Sequence, residues 1–106
     1  MMNVDEKRHY LNRYPLLIAR IDRLTKQSRI NADRKSFYFD EMAKTKQLRD
    51  SIEDAIYGIG DEREREILAQ KYLCGRSLEE TAELLNYSKR QIERLHLQAL
   101  EHLCPT

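Results

Sequence analysis

SLEETAELLNYSKRQIERLHLQALEHL, Ser77 to Leu103, is the stretch whose reading decides the fold. Ser77 and, three residues on, Glu80 form the signature of a capping box, which opens a helix. Leu78, Ala82 and Leu85 then fall on one side of that helix. Asn86-Tyr87 predicts a turn, because asparagine tolerates left-handed backbone better than most residues. Ser88 caps a second helix whose inner stripe is Ile92, Leu95, Ala99, Leu100 and Leu103, and Pro105 stops it. A short helix, a tight turn and a longer helix with a polar, basic N-terminal face are what a helix-turn-helix requires. Ala82 is the small residue where the two helices cross closely, and Ile92 is the apolar residue that locks onto it.

Upstream, Asp61 to Cys74 reads as a supporting helix. Asp61 is its N-cap, and Glu62 and Glu64 lie in a first turn that favours negative charge. Ile67, Leu68 and Tyr72 are its expected buried face, and Gly75 ends it. These three helices make residues 61–104 a helix-turn-helix DNA-binding domain. Gly58-Ile59-Gly60, two glycines around one apolar residue, is the expected boundary before it.

Residues 1–57 read as an N-terminal helical hairpin. Leu11, Tyr14, Leu17, Ile18, Ile21 and Leu24 form an amphipathic stripe. Pro15 interrupts it, so a short lead-in helix breaks near Tyr14 and a second starts at Pro15. The polar, basic stretch from Ser28 to Ser36 is the expected connection. A further helix follows from about Phe37 to Tyr57, with the stripe Phe39, Met42, Ala43, Leu48, Ile52, Ala55 and Ile56. The hairpin has two open uses. It pairs with a second chain as a homodimer, or it packs against the helix-turn-helix to complete one core. The fold class is all-α, an N-terminal helical hairpin followed by a three-helix helix-turn-helix unit. Three glycines and two prolines leave little material for β-hairpins.

Charge is unevenly placed. Residues 1–57 hold 12 Lys/Arg against 9 Asp/Glu, a net +3, whereas residues 58–106 hold 7 against 9, a net −2. DNA binding by the second half therefore needs a local basic patch, and one such module binds weakly unless something adds to it. Lys89, Arg90, Gln91 and Arg94 lie outward at the start of the reading helix. Lysine and arginine donate to guanine O6 and N7, and glutamine bridges adenine N6 and N7. Ser88 and Ser77, at two helix N-termini, complete the expected DNA-binding set, since such termini favour phosphate. Charge runs of this kind are most often solvated helix faces, and the position just after the turn is what argues for DNA.

Other functions find little support. No nucleophile–base pair, phosphate loop or metal cluster stands out, so no enzymatic activity, cofactor or metal is expected. His9, His96 and His102 lie at helical positions with no paired acid and read as surface or packing residues. Cys74, His102 and Cys104 lack metal-ligand spacing. Cys74 reads as a small apolar residue at a helix end, and both thiols as reduced. Met1 to Tyr14 has no apolar core of a signal peptide, and no stretch reaches a membrane span. A cytoplasmic location without membrane contact is expected.

The stretch from Gly60 to Leu103 resembles the region 4 helix-turn-helix of sigma-70-type RNA polymerase sigma factors. The residues that carry the likeness are Glu64 to Leu68; Tyr72, Leu73, Gly75, Ser77 to Glu80 and Ala82; Ser88, Lys89 and Ile92; and Ala99, Leu100 and Leu103. The resemblance implies double-stranded DNA and RNA polymerase as partners and places base contacts on Lys89, Arg90 and Arg94. Two positions depart from the pattern: Asn86 replaces the usual turn glycine, and Glu93 stands where arginine is common. Glu93 repels phosphate, so a different base preference is expected. Regions that melt promoter DNA are missing, which excludes a full sigma factor. The opening Tyr10, Leu11, Tyr14, Leu17, Ile21 and Leu24, followed by the sigma-like unit, is similar to small phage late-gene transcription activators of the RinA/ArpU kind. The leading expectation is a phage- or prophage-type activator acting near a promoter. The alternative is a sigma-4-like adaptor that binds a protein instead of DNA, favoured by Glu93 and the acidic balance of residues 58–106.

Overall fold

The structure, a computed structural model, describes residues 1–105. It is all-α among the described residues, with six α-helices: α1 (Val4–Asn12), α2 (Tyr14–Ile30), α3 (Lys35–Tyr57), α4 (Glu62–Leu68), α5 (Leu78–Leu85) and α6 (Lys89–His102). Asn3 caps α1 through a reciprocal box with Glu6. Arg13 separates α1 from α2, and Pro15 sits in the first turn of α2, as its missing N–H allows. α2 thus starts one residue before the expected Pro15: Tyr14 lies inside the helix, and the break falls at Arg13.

The hairpin of α2 and α3 differs from its expected form in two ways. The connection is shorter than Ser28 to Ser36. α2 runs to Ile30, a single 3-10 turn covers Ala32–Arg34, and α3 begins at Lys35. The buried face of α3 is also turned relative to expectation. Tyr38, Met42, Thr45, Ile52, Ala55 and Ile56 are buried, whereas Phe39, Ala43 and Leu48 are exposed. Aromatic residues flank Tyr38 on both sides, so apolarity alone does not fix the phase. Thr45 takes an inward place because its hydroxyl donates to the Glu41 carbonyl at 2.9 Å, leaving no unmet polar group. Ser28 is buried on α2 in the same way, donating to the Thr25 carbonyl at 2.7 Å. Ile18, expected inside, is exposed.

The main core joins both halves of the chain. Leu11 and Leu17 from the N-terminal helices and Ile52, Ala55, Ile56 and Ile59 at the base of the hairpin pack with Leu68, Tyr72, Ala99, Leu100 and Leu103. Gly58 caps α3 with right-handed backbone, φ −75°, and Ile59 beside it is buried. A second cluster, Ile67, Ala82, Ile92 and Leu95, holds α4, α5 and α6 together. A third, Leu24, Tyr38 and Met42, closes the far end of the hairpin, which extends beyond the main core. The long dimension of the molecule is 53 Å. No helix among the described residues is long and apolar enough to cross a membrane.

Candidate nucleic-acid interface

α4 begins at Asp61, whose carboxylate accepts from the backbone N–H of Arg63 and Glu64. Its helix does not end at Leu68. It widens into a π-helical turn, Ala69–Leu73, which Cys74 and Gly75 terminate, Gly75 at φ +77°. Tyr72 lies in this turn, and its hydroxyl meets Nε2 of His96 on α6 at 2.8 Å. The π turn thereby ties the supporting helix to the middle of α6. Burial holds His96 well below the ordinary histidine range, at about 4, with the positive charges of Lys71 and Arg8 pushing the same way. The imidazole is therefore neutral at physiological pH.

A second histidine has a partner that sequence reasoning missed. His102 Nδ1 lies 2.6 Å from the carboxylate of Glu64, which is only 3 % exposed. The expectation that no histidine is paired with an acid is corrected at this position. Glu64 is likewise more than a first-turn charge: it is a buried carboxylate that fastens α4 to the end of α6. Nearby, the buried Lys7 donates from Nζ to the Glu101 carbonyl at 2.9 Å. A cation at that place offsets the partial negative charge of the α6 C-terminus. Cys74, expected as a small apolar residue, is exposed, as is Cys104.

α5 opens with the expected capping box: Ser77 Oγ accepts from Glu80 N–H, and Glu80 Oε1 accepts from Ser77 N–H. Thr81, which the apolar stripe did not include, is fully buried and donates to the Ser77 carbonyl at 2.8 Å. Asn86 adopts φ 62°, ψ 44°, the left-handed conformation expected of it. Tyr87 N–H then donates to the Ala82 carbonyl at 2.8 Å and closes the turn. Ala82 and Ile92 share one cluster, so α5 crosses α6 where the small residue permits it.

This geometry leaves the first turn of α6 outward. Ser88, Lys89, Arg90, Gln91 and Arg94 are all exposed, as is Ser77. Among the described residues, no ion pair engages Lys89, Arg90 or Arg94. Three of the six positions have internal work, Ser77 in the capping box of α5 and Ser88 and Gln91 in that of α6. Ser88 Oγ accepts from Gln91 N–H, and Gln91 Oε1 accepts from Ser88 N–H at 2.9 Å. In that state Gln91 offers a ligand its amide N–H groups and the second lone pair of its oxygen, so a two-point adenine contact shares that oxygen with the Ser88 N–H. Beside this face runs a groove of about 370 Å³ between α5 and α6, where Glu79, Glu83 and Glu93 meet Lys89 over Ala82 and Ile92.

Three packed helices, a two-residue turn with left-handed Asn86, and an outward basic face at the start of α6 define a helix-turn-helix unit of the DNA-binding kind. Residues 61–103 match the family model for sigma-70, region 4, and this segment is a sigma-70 region 4-like helix-turn-helix. The match covers about two-fifths of the chain and leaves the hairpin outside it. Neither the curated proteins nor the solved structures searched gave a match. Units of this family bind DNA and RNA polymerase, and they are regulatory modules, not catalytic ones.

Proposed function

We propose that the protein is a sequence-specific DNA-binding transcription regulator, a phage- or prophage-type activator that binds beside a promoter and touches RNA polymerase. The observation that carries this reading is the first two turns of α6, where Lys89, Arg90 and Arg94 are exposed and, among the described residues, free of ion pairs on a region 4-like frame. Ser88 and Ser77 at the two helix N-termini serve phosphate, and Gln91 supplies a further donor to a base edge. The phage assignment adds the arrangement of residues 1–103, a helical hairpin in front of a sigma-like unit. A homodimer through the N-terminal helices doubles the phosphate contacts, and exposed Leu16, Ile18 and Leu48 offer apolar surface for it.

The adaptor reading is favoured by one observation: the groove between α5 and α6 carries three glutamates beside the reading face, which repel phosphate and suit a basic protein segment. Transcription in vitro with RNA polymerase separates the two. An activator raises transcript from a promoter bearing its bound sequence, and Lys89→Ala/Arg90→Ala/Arg94→Ala abolishes the increase. An adaptor leaves transcript unchanged in both cases, and the activator reading falls.

A further inference from the structure

The positive charge of this molecule sits at the end away from its reading helix. Residues 20–46, the outer part of the hairpin, hold eight Lys/Arg against four Asp/Glu, a net +4. Two of those carboxylates are already paired along their own helices, Asp22 with Lys26 and Glu41 with Lys44. Arg29, Lys35 and Lys46 border a groove of about 800 Å³ whose lining holds no carboxylate. All three are exposed, and no ion pair engages them among the described residues. Phe39, Met42 and Ala43 also line the groove. Lys35 Nζ lies 5.6 Å from the centre of the Phe39 ring, a cation–π contact at the groove edge.

We propose that this groove is a second, sequence-independent DNA contact, in which Arg29, Lys35 and Lys46 hold the phosphate backbone of a duplex. The inference rests on the DNA-binding reading above. Long basic side chains lay their stems along apolar surface and keep their charged heads in water, where a polyanion meets them. A second groove at the same end is bordered by Arg20, Arg23 and Arg34, with Glu41 beside them, and adds to the positive field of the hairpin end. A duplex matches such a field, since it presents a charge about every 1.7 Å along its axis. The field also supplies what the acidic half of the chain lacks: phosphate contacts strong enough to support a short reading helix.

The test uses the full chain and a 30-base-pair duplex of arbitrary sequence, so base recognition plays no part. Binding is measured across a salt series for the wild type, Arg29→Ala/Lys35→Ala/Lys46→Ala, and the charge-keeping control Arg29→Lys/Lys35→Arg/Lys46→Arg. Circular dichroism checks that each is folded. The alanine variant is expected to flatten the dependence of log affinity on log salt by about 2–3, with roughly tenfold or greater weakening at low salt, while the control keeps the wild-type slope. An unchanged slope and affinity in the alanine variant overturns the proposal. Failure of the wild type to bind the duplex overturns it too. In a pool of sequences, the alanine variant is expected to keep whatever preference the wild type shows. If the wild type shows none, base reading by α6 fails on its own, and the salt slope still decides the groove.

Discussion

Asn86 holds the turn on which the reading helix depends, and its left-handed backbone is a position where most side chains are strained. Asn86→Gly is expected to leave stability within about 0.5 kcal/mol, whereas Asn86→Val costs about 1–2 kcal/mol, both read from denaturant unfolding. His96 acts through its protonation. Its folded-state value of about 4 lies below the ordinary 6.5, so the unfolded chain takes up a proton first as pH falls. Stability is therefore fully present above about pH 6.5, is lost as pH drops toward 4, and loses nothing more from this group below that. The loss is of order 3 kcal/mol at about 1.4 kcal/mol per unit. His96→Gln is expected to flatten the stability curve across this window relative to the wild type. An equally steep curve in the variant assigns the acid sensitivity to other groups. Residue roles that act locally, such as Ser77, Asn86 and Ser88, were legible in the sequence because their partners lie within three to five positions. The Tyr72–His96 and Glu64–His102 contacts were not, because their partners are 24 and 38 positions apart.

Among the elements, α5 and α6 read well because Leu78, Ala82 and Leu85, and then Ile92, Leu95, Ala99 and Leu100, recur at helical spacing behind two capping serines. Their inner stripes from Leu78 to Leu103 are the ones the structure buries or half-buries. α3 read less well. Phe37, Tyr38 and Phe39 are equally plausible inward residues, and only the partner helix α2 decides that Tyr38 turns in. The polar Thr45 and Ser28 at buried places are invisible to an apolar pattern, since what admits them is a hydrogen bond to their own helix. The π turn of Ala69–Leu73, which carries the Tyr72 that meets His96, was also not legible. At this scale Ser88→Ala removes the cap of the reading helix. It is expected to cost about 1 kcal/mol in thermal or chemical unfolding. The Gln91 side chain keeps its bond, because its Oε1 accepts from the backbone N–H of residue 88, which the variant retains.

The molecule as a whole is held by a core to which both halves contribute. Leu17 is fully buried with Ile56, Leu100 and Leu103. Leu17→Ala is expected to lower stability by about 2–5 kcal/mol. If the shared core couples the halves, fluorescence of tyrosines in both and circular dichroism report one transition; two separated transitions show that the hairpin and the helix-turn-helix melt independently. Sequence left open whether the hairpin packs back or pairs with another chain, since a narrow apolar stripe serves either use. The packing of α1 on α6, with Lys7 on the Glu101 carbonyl, supplies the first of these within one chain.

The central claim is that the first two turns of α6 read bases, and selection from a pool of genomic duplexes tests it most directly. Wild type and Lys89→Ala/Arg90→Ala/Arg94→Ala are compared at two salt concentrations, each confirmed to be folded. The account predicts that the wild type enriches a defined sequence at both and that the variant loses this enrichment while keeping its helical content. Enrichment of the same sequence by the folded variant, or of none by the wild type, contradicts it.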